Sequence, residues 1–136
     1  MSTNMFVNLP VRNLGRAIDF FTKLGFKFND EFTDEKATCM IVAENIFVML
    51  LVKEFFQTFI SKEIVDANYS TEVIITLSAA NRESVDEMVS RAVQAGATTP
   101  NGKQDDGWMY GHGFQDLDGH LWAIMCIDEN SLRQTD

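Results

Sequence analysis

The sequence predicts an α+β fold made of two βαβββ modules that form a curved mixed sheet around a pocket, with helices on the outer face. Three observations carry this. One order of elements occurs twice, each helical stripe has an Asn before it and a Gly after it, and a 46% hydrophobic composition can bury a core. At 136 residues the chain is expected to be a single domain. Module one spans about 1–53, a linker helix about 54–66 and module two about 67–128.

Met5 to Val11 reads as the first strand. Asn13 suits an N-cap, and Leu14, Ala17, Ile18, Phe21 and Leu24 follow at the spacing of an amphipathic helix. Gly25 ends that helix. Strand-like runs come next at Phe26 to Phe32, Thr38 to Ala43 and Ile46 to Val52, separated by Asp34-Glu35-Lys36 and Glu44-Asn45. The pattern then restarts. Thr71 to Ala79 is a β-branched strand, Asn81 a second cap, and Val85, Met88, Val89, Ala92 and Val93 a second stripe closed by Gly96. Strands are expected at Ala97 to Thr99, Trp108 to Gln115 and Leu121 to Ile127, with a tight turn at Asp116-Leu117-Asp118-Gly119 before the last. Between the halves, Glu54 to Asp66 reads as a short helix whose Phe55, Phe56, Phe59 and Ile60 pack on the core; a lid or dimer contact is the other reading.

Charge narrows the partners. Twenty acidic against 11 basic residues give −9, which repels phosphate backbones and anionic lipid, so no nucleic acid and no membrane partner is expected. The longest apolar run, Ile46 to Val52, is too short to span a bilayer. Nothing at the N-terminus reads as a signal peptide, and the expected compartment is cytoplasmic. Cys39 and Cys126 lie in apolar runs and read as reduced buried thiols, structural rather than nucleophilic.

Phe6-Val7-Asn8-Leu9-Pro10-Val11 with Asn13-Leu14, followed by Ala17-Ile18-Asp19-Phe20-Phe21 and Leu24-Gly25-Phe26, resembles the opening of vicinal-oxygen-chelate proteins. That superfamily includes glyoxalase I, extradiol dioxygenases and bleomycin-resistance proteins. Phe114-Gln115-Asp116-Leu117-Asp118-Gly119-His120 is similar to its turn before the last strand, although the family commonly has Pro where Leu117 stands. The resemblance covers about the whole chain in element order and specifies fold better than reaction.

In the metal-dependent members, His, Gln or Glu side chains on four strands hold one divalent ion. Carried onto this chain, those positions fall on Phe6, Ile74 and Ala123, with the fourth at or next to Val48. All are apolar, and a divalent ion needs oxygen or imidazole donors. The resemblance therefore implies a family member with no metal ligands and no cofactor.

Strand alternation suggests what lines a pocket instead. Asn8 goes with Phe6, and Thr76 and Ser78 go with Ile74. Leu121, Ala123 and Met125 share a face. A two-residue hairpin at Asp118-Gly119 would pair Phe114 with Ala123 and His112 with Met125, turning Tyr110, His112 and Phe114 inward; a bulge would reverse this. His112 is the one catalytic candidate, a base or ligand donor between Gly111 and Gly113, against a histidine simply bonded to a carbonyl. The candidate ligand-binding set is thus Phe6, Asn8, Val48, Ile74, Thr76, Ser78, Tyr110, His112, Phe114 and Ala123.

Together these imply a metal-free homodimer that binds a small, largely apolar molecule in an internal pocket, with catalysis left open. The alternative is a lyase or isomerase of the lactoylglutathione-lyase kind, or another metal-dependent enzyme, with atypical ligands such as His112 and Asp116. A third reading is an interaction module whose pocket is filled by its own Met and Phe side chains.

Overall fold

The structure is a computed structural model and describes residues 3–128. The chain divides into two compact units, the first ending at Asp66 and the second beginning at Ala67. Each has one four-stranded mixed sheet and one main helix, in the same order.

In the first unit, β1 (Met5–Val11) leads into α1 (Leu14–Lys23). Strands β2 (Lys27–Asn29), β3 (Ala37–Ala43) and β4 (Ile46–Val52) follow, and the sheet runs β1-β4-β3-β2. The β1–β4 pair is parallel and the others antiparallel. Asn13 caps α1 by accepting from the Arg16 N–H at 3.0 Å. The chain then leaves the helix through Gly25, whose φ of +104° a side chain would strain. Leu14, Ala17, Phe20 and Phe21 bury against the sheet face formed by Leu9, Val11, Thr38, Met40, Val48 and Leu50. The run expected as strand from Phe26 to Phe32 breaks after Asn29 into a short 3-10 turn, because the Asn29 side chain accepts from Glu31 N–H at 3.0 Å.

The second unit repeats the plan with β5 (Ile74–Ser78), α3 (Arg82–Gln94), β6 (Gln104–Asp105), β7 (Met109–Gln115) and β8 (Leu121–Ile127), in sheet order β5-β8-β7-β6. Asn81 caps α3 by accepting from Ser84 N–H at 2.8 Å, and Gly96 (φ +114°) ends the turn. Val85, Val89 and Ala92 bury with Phe114, Trp122 and Ile124. Phe114 and Trp122 stack in parallel at 6.3 Å.

Three further expectations change. The linker helix expected over 54–66 is only α2 (Lys53–Gln57); the Thr58 hydroxyl then donates to the Phe55 carbonyl, and Gln57 donates to that of Lys62. Ala97 to Thr99 forms one bridge, Thr98 with Gln115, while the edge strand is β6. The β7–β8 register also shifts by one residue. Phe114 pairs with Trp122 and His112 with Ile124. The cause is a longer connection over 116–120, tied by the Asp116 carboxylate. That group accepts from Asp118 N–H (2.9 Å), His120 N–H (3.0 Å) and the Trp122 indole (2.9 Å). Burial pushes the Asp116 carboxyl up, opposed by His120 and these donors.

Candidate functional site

In the second unit the register decides what each face of the sheet carries. Ile75, Leu77, Tyr110, His112, Phe114, Trp122 and Ile124 point toward α3. The opposite face carries Ile74, Thr76 and Ser78 on β5, Leu121, Ala123 and Met125 on β8, and Met109, Gly111 and Gly113 on β7. That open face holds a hollow of about 380 Å³. Its side-chain walls are Ile74, Leu121, Met109 and Met125, with Thr76 and Gln104 as polar points and Pro100 to Gly102 along the rim. Among the described residues, no Asp, Glu, Lys or Arg lines it. An uncharged, mostly apolar lining favours binding by burial over proton transfer.

Two glycines shape the floor. A Cβ at Gly113 would lie 2.7 Å from the Trp122 carbonyl oxygen, and one at Gly111 3.3 Å from that of Ile124. The neighbouring β8 backbone approaches so closely that β7 is left bare here. Ala123, the partner of Gly113, adds only a methyl group.

Of the residues singled out in the sequence, the hollow brings together Ile74, Thr76 and Ala123 through their side chains; His112 and Phe114 also line it. The side chains of those last two belong to the α3 face, so the inward orientation expected from a two-residue hairpin is reversed. Tyr110 shares that face and is buried; its hydroxyl donates to Asp86 Oδ1 on α3 at 2.6 Å. That bond raises the phenol and is the first reason the Asp86 carboxyl sits below its usual range; nearby Lys103 and His112 add to it. Asp86 is thus the carboxylate near His112 that the sequence did not disclose. Arg82 lies over the Tyr110 ring at 4.7 Å and grips Asp105 with both terminal guanidinium nitrogens at 2.6 and 2.9 Å. This network ties β6 and β7 to α3. Ser78 shares the open face without lining the hollow.

Phe6, Asn8 and Val48 belong to the first unit. Phe6 and Asn8 lie on its open face, with Phe6 stacked on Phe47 at 5.1 Å. Val48 pairs with Val7 and Met40 and is buried on the helix side. Its neighbours Phe47 and Met49 share the Phe6 face. None of Phe6, Phe47, Met49, Ile74 and Ala123 supplies an oxygen or imidazole donor, so this donor set does not fit a hard or borderline divalent ion. Among the described residues, no three of His, Cys, Asp and Glu gather as an ion-holding group.

The duplicated βαβββ plan has counterparts. The family model described as Bleomycin resistance protein-like N-terminal matches residues 3–43. That model covers β1, α1, β2 and β3, and the fold as a whole is that of glyoxalase/bleomycin-resistance/dioxygenase proteins. A hypothetical protein from S. aureus superposes with a TM-score of 0.79 at 28% identity, covering 93% of this chain and 94% of that one. A glyoxalase/bleomycin resistance protein/dioxygenase family enzyme from Burkholderia phytofirmans PsJN gives 0.78 at 15% identity, over 93% and 100%. The fosfomycin resistance protein FosX from Mesorhizobium loti gives 0.70 at 10% identity, over 98% and 99%; the last two likenesses speak to fold alone. A comparison with curated proteins gave no match. That shared fold accounts for the repeated topology.

Proposed function

We propose that this chain is a glyoxalase/bleomycin-resistance superfamily member, a metal-independent binding protein whose second module takes up a small, largely apolar molecule. The observation that carries the reading is the hollow of about 380 Å³ lined by Ile74, Met109, Leu121, Ala123 and Met125, with no Asp, Glu, Lys or Arg among its described walls. Its volume suits a small organic molecule, since ligand sites commonly measure roughly 300–1,000 Å³. The apolar residues at the family's ligand positions support independence from a metal. In the same proposal the protein is a cytoplasmic homodimer with no nucleic-acid or membrane partner. The charge of −9 supports the last part, and no helix among the described residues is long and apolar enough to cross a membrane.

Thermal shift against a panel of neutral apolar molecules, repeated with EDTA, tests the binding. At a ligand concentration one hundred times Kd, stabilisation of about 2.7 kcal/mol is expected, with EDTA changing nothing. Failure of every panel member to raise Tm overturns the reading. So does stoichiometric Ni, Zn, Fe or Mn in purified protein with loss of binding on its removal. Light scattering at the 15.4 kDa mass of one chain would overturn the homodimer.

A further inference from the structure

We infer that the hollow of the second module selects a flat, uncharged ring system over a puckered or charged one of the same size. The inference rests on the binding reading above and adds the ligand's shape and charge.

Shape is set by the floor. Across the sheet, Thr76, Ala123 and Gly113 form one row; Ser78, Met125, Gly111 and Gln104 form the next. Neighbouring strands are roughly 4.8 Å apart, so the row from Thr76 to Gly113 spans about 10 Å, enough for two fused six-membered rings. Over Gly113 and Ala123 the surface is peptide backbone and one methyl, and beside it the Met109 sulfur lies 3.5 Å from where a Gly111 Cβ would stand. A planar ring can lie on it with all its atoms at contact distance. A saturated ring carries axial hydrogens that hold half of its carbons farther off. Dispersion falls steeply with such a gap; roughly 0.5–1 Å of separation forfeits a quarter to a half of each contact.

The walls agree. Met109 stands two residues before Gly111 on β7 and Met125 is the partner of Gly111 on β8; both line the hollow. Thioether sulfur makes favourable contacts with aromatic ring edges. The Thr76 hydroxyl and Gln104 amide offer hydrogen bonds to a substituent at opposite ends of the floor. With no Lys, Arg, Asp or Glu among the described lining residues, a carboxylate or ammonium would lose hydration without gaining an opposite charge.

Three probes separate the possibilities: 2-naphthol, decahydro-2-naphthol and 2-naphthoate, titrated by calorimetry near neutral pH. The saturated alcohol matches 2-naphthol in carbon skeleton and hydroxyl, so it isolates flatness; the carboxylate isolates charge. We expect 2-naphthol to bind at least ten-fold more tightly than either. Its ring current should move the Gly111 and Gly113 Hα resonances upfield, a readout that needs no variant. Ala123→Met, which places a Met where Met49 stands in the first module, should weaken 2-naphthol at least ten-fold with Tm unchanged. Equal affinity for the saturated alcohol, or 2-naphthol binding that leaves the glycine resonances in place, overturns this inference and leaves the binding reading standing. Panel molecules that bind while 2-naphthol does not have the same consequence. If no apolar molecule binds at all, both readings fall.

Discussion

The two modules share one topology and differ in what they place on the face away from the helix. Relative to the parallel strand pair, Met49 and Cys39 in the first occupy the positions of Ala123 and Gly113 in the second. Phe47 likewise corresponds to Leu121, and Ala37 to Gly111. The first face is therefore furnished with side chains, including a stacked Phe6–Phe47 pair. The second is stripped to backbone at Gly111 and Gly113 of β7, and that is where the hollow of about 380 Å³ appears. Duplication supplies the scaffold twice, while side-chain volume at a few matched strand positions sets what each open face carries.

The comparison breaks most readily at Trp122, the centre of the second core. It is fully buried, stacked on Phe114 and bonded through its indole to Asp116. Trp122→Ala should cost about 3–5 kcal/mol, the range for losing a large aromatic from a core. Trp122→Phe keeps a ring but leaves one Asp116 oxygen without its indole donor, a loss of about 1–3 kcal/mol. Urea unfolding measures both. No loss in Trp122→Phe would mean that the Asp116 bond contributes nothing, whereas equal losses for the two variants would put the whole cost on that bond and none on the ring.

Next in size is the pair of floor glycines. At Gly113 the added Cβ would sit 2.7 Å from the Trp122 carbonyl oxygen, so β7 and β8 must separate. Overpacking of this kind costs about 1–3 kcal/mol, against about 0.4–1 kcal/mol gained by restricting the unfolded chain. Gly113→Ala should therefore be destabilising. At Gly111 the contact is 3.3 Å, and a few tenths of an ångström of relief suffices. Gly111→Ala should come out near neutral in the same unfolding measurement. If the two glycines tolerate Ala equally, close strand approach is not what keeps the floor bare.

These positions also show what the sequence could disclose. Both Asn caps, the stops at Gly25 and Gly96, and strands β1, β4 and β8 are legible because each depends on local chemistry: a side-chain acceptor, a positive φ, or a run of β-branched and apolar residues. Ile74 and Ala123 came from the positions that the family resemblance implies, and alternation then put Thr76 on the face of Ile74; all three line the hollow. The orientation of Tyr110, His112 and Phe114 was not. It depends on one residue of register set by the Asp116 side chain, which looks in sequence like an ordinary turn acid. Strand β6 has only Gln104 and Asp105, with no apolar signal, and it exists by pairing with Tyr110 and Gly111. The Asp86–Tyr110 bond joins groups 24 residues apart, beyond any local pattern.

The smallest expected effect lies at that edge strand, which takes the place of β2 in the first module. Asp105 is held to about 2 from its ordinary 3.8, first by the Arg82 guanidinium and then by the Gly107 N–H. A carboxyl depressed on folding adds stability above its unfolded value, and that contribution fades as pH falls from about 4 toward 2. The pair is solvent-exposed, so the stability change is slight and the titration itself is the better readout. Carbon-detected NMR should place the Asp105 midpoint near 2. In Arg82→Ala it should climb toward 3.8 but stop short, because the Gly107 N–H still donates at 3.0 Å. An unchanged midpoint in that variant would assign the depression to the backbone donor alone. The bidentate grip of Arg82 would then have no part in holding β6 to α3.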